Sequence, residues 1–225
     1  MGARRRTVST PGGRGDTRGR ALLIDLGGVL VADALPTTAE VWSRRLGLTP
    51  QDVAEGIYGG DEDQVLIGRM SEPDWWDVVA RRLGLDAART AALRDDLTGH
   101  PVYDDALVDA VRAVRPVVRT AFVSNAWPHT RTGLATLLSR ADAAVLSCEV
   151  GVAKPDPGIY RCALETLGVA ARDALFVDDR EENVATARRL GMRGHVHTAT
   201  PETLAAVEEF TGVPLRGDAP GGHGE

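Results

Sequence analysis

At 225 residues the chain can hold one α/β core, with room for a small second domain. Its 43% hydrophobic and 26% charged residues are the balance of a soluble globular protein with a sizeable core. The net charge of −6 is uneven: Arg4, Arg5, Arg6, Arg14, Arg18 and Arg20 stand against Asp16 alone in residues 1–20, so the body is more acidic than the whole. That body disfavours nucleic acid or an anionic membrane as main partner, and an anionic substrate would need local positive charge to enter.

In chain order, residues 1–19 are rich in Arg, Gly, Thr and Ser and predict a disordered basic tail. Ala21–Asp25 follows as a short apolar run ending in a carboxylate, the pattern of a strand buried on both faces of a parallel sheet. The arginines before it resemble the start of a signal peptide, but a carboxylate inside the apolar run argues against one. No run of 18 apolar residues occurs, so no membrane span is expected and the reading is cytoplasmic.

Residues 36–100 read as helices throughout: Thr38–Leu46, Pro50–Tyr58, Glu72–Leu83 and Asp86–Leu97. No strand-like run separates them, which predicts a small helical cap inserted after the first strand. Strands are then expected at Thr120–Ser124, Ala143–Ser147, Ala174–Asp178 and Gly194–His197. Helices are expected at Asp105–Val114, Thr130–Arg140, Pro157–Leu167 and Glu182–Leu190. Strand and helix in alternation specify a doubly wound, Rossmann-like parallel sheet, with the α/β core in 20–35 and 101–212. Residues 213–225 read as a second disordered tail. Three helix stops share the pattern Arg-Arg-Leu-Gly, at Gly47, Gly84 and Gly191, where cations complement the helix dipole and glycine can turn left-handed.

Four segments carry candidate chemistry. Asp25-Leu26-Gly27-Gly28 places a carboxylate at a strand end, where open α/β sheets bind ligands; alone, it equally fits an aspartate that caps a turn. Ser124-Asn125 offers a hydroxyl and an amide at another strand end, or simply a polar turn. Lys154-Pro155 presents the only lysine of the chain from a loop, unless that lysine is merely solvated. Asp178-Asp179 sets two carboxylates side by side; they repel unless a cation lies between, and hard oxygens suit Mg²⁺. The same pair could cap the helix that follows.

Jointly, Asp25, Ser124, Lys154 and Asp178-Asp179, each at or beside an apolar strand and in that order, resemble the haloacid-dehalogenase-like superfamily over roughly residues 21–200. The likeness is to its branch with a helical cap after the first motif. The resemblance implies an Asp25 nucleophile and an aspartyl-phosphate intermediate. It implies Ser124, Asn125 and Lys154 on the substrate phosphate, and Mg²⁺ held by Asp25, the Gly27 carbonyl, Asp178 and Asp179. A small phosphorylated metabolite is then the expected substrate.

One position departs from the family pattern. Gly27 stands where phosphatases of the family usually carry a second aspartate that protonates the leaving group and activates water. The carbonyl is kept and the acid is lost, although a branch of the family's phosphatases also has glycine here. Asp33 or a cap residue is a possible substitute. Two alternatives follow: a catalytically weak binder of phospho-ligands, and a dehalogenase-type C–X hydrolase, which would dispense with metal and with the acidic pair. Lower-ranked candidates are His129, expected near the site mouth, and His195 with His197, one strand face without a third ligand. Trp42, Tyr58, Trp75 and Trp76 are expected mainly as cap core. Cys148 and Cys162 are expected as inert, partly buried thiols, since neither has metal-ligand spacing.

Overall fold

The computed structural model describes residues 19–60 and 62–215. Five strands, β1 (Ala21–Ile24), β2 (Arg119–Ser124), β3 (Ala143–Leu146), β4 (Ala174–Asp178) and β5 (Arg193–Val196), form one sheet in the order β3-β2-β1-β4-β5. Every pairing is parallel. The order runs outward to β3 on one side of β1 and to β5 on the other. A crevice therefore opens beyond the carboxyl ends of β1 and β4, where chain direction across the sheet reverses.

Period-two alternation divides the strands between two cores. Leu22 and Ile24 face α6 (Asp105–Val114) and α12 (Thr200–Thr211), packing with Leu107, Val111, Val207 and Phe210. Ala21 and Leu23 face α10 (Pro157–Leu167) and α11 (Glu181–Arg189), packing with Ile159, Tyr160, Val184 and Ala187. The sheet is thus doubly wound, as the alternation of elements requires.

Between β1 and α6 lie five helices: α1 (Leu35–Leu46), α2 (Pro50–Tyr58), α3 (Glu62–Leu66), α4 (Glu72–Leu83) and α5 (Ala87–Thr98). They bury a core of their own around Trp42, Val53, Ile57, Trp75, Val79 and Leu93. Local chemistry sets their ends. Thr49 and Asp52 form a reciprocal capping box at the start of α2. Ser71 and Asp86 cap α4 and α5. Gly47 and Gly84 take φ of 68° and 64°, so the first two Arg-Arg-Leu-Gly stops close in left-handed glycine. The third stops earlier: α11 ends at Arg189, and Gly191 turns two residues later at φ 93°.

Several expectations need correction. The helix expected over Thr130–Arg140 is two short pieces, α7 (Thr130–Gly133) and α8 (Ala135–Leu138), broken at Leu134 with φ −110°. Gly133, just before the break, weakens this run of about three turns. The strand expected to reach Ser147 stops at Leu146, and Ser147 opens the short α9 (Ser147–Val150). Its buried hydroxyl accepts the Ala126 N–H at 2.9 Å, a tertiary bond that the local pattern does not contain. Helices α3 and α12 go beyond the elements read from sequence. The basic tail lies outside the described residues except at Gly19, as does the second tail from residue 216 onward. Val213 and Leu215 pack on the core, so ordered chain continues past 212. Among the described residues no helix is long and apolar enough to cross a membrane.

Candidate active site

The site gathers at the carboxyl ends of β1, β2 and β4. Asp25 follows β1 directly, its N–H bonded to the Val177 carbonyl of β4 at 2.9 Å. This ladder bond continues the β1–β4 register by one residue, bringing Asp25 beside Asp178. Lys154 arrives from the loop before α10 and lies between the two: Nζ is 2.8 Å from Asp25 Oδ1 and 2.7 Å from Asp178 Oδ2. Far from being solvated, the lysine side chain is 2% exposed.

Asn125 fixes that loop. Its Oδ1 accepts the Lys154 N–H at 2.7 Å, and its Nδ2 donates to the Lys154 carbonyl at 2.9 Å. The structure therefore places the Asn125 amide on the lysine backbone, at the rim of the cleft. The Lys154–Pro155 peptide is cis. Ser124 ends β2, is buried, and lines the same cleft.

The acidic pair splits into two environments. Asp178 is fully buried and both its oxygens are engaged. Oδ2 meets Lys154, while Oδ1 accepts the Arg180 N–H at 2.9 Å and the Asn183 amide at 2.8 Å. Asp179 is exposed to the cleft, its carboxylate lying against Gly28. A Cβ on Gly28, at φ 75°, would come within 2.3 Å of Asp179 Oδ2, so both conformation and space require glycine there.

Asp25, Asp178 and Asp179 each offer one carboxylate oxygen, all within 4.8 Å of one another. Burial pushes the Asp25 carboxyl up to about 6; Lys154 opposes the shift and Asp178 adds to it. The Asp179 carboxyl is raised as well, by burial and then by Asp178. One ammonium thus faces three carboxylates, and the cluster is short of positive charge. Asn183 adds a buried Oδ1 with no hydrogen-bond partner among the described residues. An excess of hard oxygen donors with unmet charge fits a divalent cation such as Mg²⁺.

The cleft above the cluster has a volume of about 760 Å³. The helical block forms its far wall, and one loop after β2 joins the block to the core. In that loop Trp127 is buried within the block's own core, edge-on to Trp75 and Trp76 with centroids 6.3 and 5.6 Å away. His129 Nδ1 lies 2.9 Å from Glu72 Oε1, and its backbone N–H donates to Oε2 at 2.8 Å. Although burial pushes it up, hydrogen bonds from His129 hold the Glu72 carboxyl below its ordinary value.

His129 does lie at the cleft, and Trp127, Glu72, Ser147 and Asn183 support the site as well. Only Asn183 carried a local signal, as an amide in the first turn after the acidic pair. Trp42, Trp75 and Trp76 are buried in the block, whereas Tyr58 is 36% exposed and faces the cleft. Asp33 lines the cleft too, accepting the Leu35 N–H at 2.9 Å. His195 and His197 both meet the Thr203 hydroxyl, at 3.1 and 2.8 Å, outside this cluster. Cys148 and Cys162 are unpaired, partly buried thiols.

A family profile described as haloacid dehalogenase-like hydrolase matches residues 20–191. The chain belongs to that hydrolase family. The bifunctional epoxide hydrolase 2 of Sus scrofa is 28% identical over 223 residues, covering 87% of this chain; the chain spans only 39% of that relative's length. Phosphatase MT3486 of Mycobacterium tuberculosis is 30% identical over 200 residues, covering 83% of this chain and 91% of the relative. The fold also matches a HAD family enzyme of Bacteroides thetaiotaomicron solved with magnesium and inorganic phosphate. The TM-score is 0.64 at 20% identity, covering 80% of this chain and 94% of that one.

Proposed function

We propose that the protein is a Mg²⁺-dependent phosphomonoesterase acting on a small phosphorylated metabolite, with Asp25 as nucleophile. The observation that carries this reading is the carboxylate cluster at Asp25, Asp178 and Asp179, with Lys154 as its buried counter-charge. The naming of a similar protein as a phosphatase supports the same reading. A metal-independent C–X hydrolase would have no use for three converging carboxylates.

Asp25 attacks phosphorus, its oxygen forming the new P–O bond as the alcohol departs; water then hydrolyses the aspartyl phosphate and regenerates Asp25. Ser124 and Lys154 donate hydrogen bonds to the transferring oxygens, which gain charge in the transition state. Lys154 also holds Asp25 in place while the bond forms. Asp25, the Gly27 carbonyl and Asp179 would hold Mg²⁺, which would supply charge neutralisation to the transferring group when bound. Asp178, with both oxygens engaged by protein donors, supports them by anchoring Lys154 and the start of α11. The helical block acts as the cap that closes the cleft over the substrate. Asp33, which lines the cleft, is our candidate for the acid missing at Gly27.

The test is phosphate release from a panel of small phosphomonoesters, with Mg²⁺ and with EDTA, beside Asp25→Asn. Release that needs both Mg²⁺ and Asp25 is expected. Mg²⁺ binding without release would turn the reading to a phospho-ligand binder, and metal-free turnover would turn it to C–X hydrolysis.

A further inference from the structure

The phosphate end of the cleft is charged, but the wall that the helical block supplies is not. From the helical block, the described residues that line it are Leu35, Thr37, Tyr58, Leu66, Leu97 and Thr98. None of these carries a charge. The block does hold arginines at 44, 45, 69, 81, 82, 89 and 94, and among the described residues none of them reaches the cleft. The core adds Trp127 and Val102, the latter 67% exposed, to the same apolar wall.

The basic side chains that line the cleft already have acidic neighbours. Lys154 lies between Asp25 and Asp178. Arg180 pairs with Glu182, His129 with Glu72, and His100 lies 3.8 Å from Asp95. A second anionic group on a substrate would have to displace a carboxylate from one of these partners, and would meet Asp33 on the way. Away from the catalytic end, hydrogen-bonding groups on the block wall come from Thr37, Tyr58 and Thr98. The Thr98 hydroxyl already donates to the Arg94 carbonyl at 2.8 Å. A polyhydroxy sugar would therefore be desolvated there with few replacement partners.

We infer that the substrate carries a single phosphoryl group on an uncharged, largely apolar alcohol, an alkyl or aryl monophosphate, whose hydrocarbon part lies along Leu35, Leu66, Leu97 and Trp127. This inference rests on the phosphatase reading of the site and names its substrate class. Apolar contact with that wall is made in ground state and transition state alike, so it acts chiefly through KM.

The experiment measures kcat and KM with Mg²⁺ for n-alkyl phosphates from ethyl to octyl and for phenyl phosphate. A hexose 6-phosphate, a nucleoside monophosphate and a sugar bisphosphate are run beside them. The expected result is kcat/KM rising about threefold to fourfold per methylene until the wall is covered, mostly through a falling KM. The sugar esters fall below hexyl phosphate. In Leu66→Ser and Leu97→Ser the dependence on chain length flattens. A flat or falling dependence in the unaltered protein, or a preference for the hexose ester or the bisphosphate, overturns the inference and leaves the phosphatase reading standing. Release from none of the esters overturns both.

Discussion

The two ends of the central strands each hold a charged cluster, and the two clusters are built to opposite rules. At the amino end of β2, Asp142 accepts from Arg115 Nε at 2.7 Å and from the N–H and hydroxyl of Thr120 at 2.9 and 3.1 Å. Its carboxyl lies below the ordinary value: burial pushes it up, but Arg115 and Thr120 outweigh that. At the carboxyl end, Asp25 also has a cationic partner at 2.8 Å, yet its carboxyl is pushed up to about 6. The difference is burial and company. Asp142 keeps 37% of its side chain in solvent and has a cation to itself. Asp25 is nearly dry and shares its lysine with Asp178. One cluster stabilises the fold; the other is held by the fold at a cost, the pattern of a site awaiting further positive charge.

The sharpest way to break this comparison is to neutralise one aspartate at each end. Asp25→Asn should lower kcat/KM for any turned-over phosphomonoester by about 10⁴-fold or more, as removal of a covalent nucleophile does. Asp142→Asn should change it by less than about threefold, since surface polar changes far from a site are mild. Comparable losses at both ends would mean that Asp25 is not the nucleophile.

Next comes the shared cation. Lys154→Met should cost about 10²–10³-fold in kcat, on the scale of losing one preorganised donor. It also leaves Asp25 and Asp178 facing each other without a counter-charge, which lowers stability by about 3–5 kcal/mol in metal-free protein. Thermal unfolding with and without Mg²⁺ checks this: Mg²⁺ should restore more stability to the variant than it adds to the parent. An unchanged melting temperature would show that the lysine is not needed between the carboxylates.

Gly27→Asp sharpens the comparison by adding a group rather than removing one. A Cβ at Gly27 meets no atom within 4 Å, so a side chain can start there in open space. A rise of about tenfold in kcat for esters with poor leaving groups is expected, below the full 10²–10⁴ of a tuned general acid. No rise would assign the proton to another group, with Asp33→Asn as the next variant to assay.

The smallest effects are on stability, and they carry opposite signs. Because the folded-state carboxyl of Asp25 is raised, the metal-free protein binds more protons than the unfolded chain between about pH 4 and 6, and stability contributed here falls as pH rises through that window. Asp25→Asn should therefore be more stable than the parent at pH 7 by about 1–3 kcal/mol, with the gap closing below pH 4. Asp142 is lowered, so its contribution is present above its ordinary value and lost as pH falls through the depressed one. Asp142→Asn should cost about 1 kcal/mol at neutral pH. Urea unfolding of both variants at pH 2.5, 4, 5.5 and 7 in EDTA reads the two slopes, that of Asp25 between pH 4 and 7 and that of Asp142 below pH 4, and slopes of the same sign would contradict the contrast.

Much of the molecule was legible in one dimension. Apolar runs of four or five residues marked the buried strands because both faces of this sheet are covered. Helix ends were readable where the cap is local, as at Gly47 and Gly84. The order Asp25, Ser124, Lys154, Asp178-Asp179 pointed to the cluster because each lies at or beside a strand end. Tertiary structure alone decided the rest. Lys154 is counter-charge to two aspartates because the amide of Asn125 holds its loop, a bond spanning 29 residues. Trp127 belongs to the helical block although the chain places it in the core, and Glu72 meets His129 across 57 residues. The split between Asp178 and Asp179 follows from the alternating faces of a strand end and from what happens to pack beneath it. Local patterns fix which backbone conformations are favourable, because capping, glycine and apolar alternation act within a few residues. Which charges become neighbours, and so which carboxyl is raised and which lowered, depends on the packing of segments far apart in the chain.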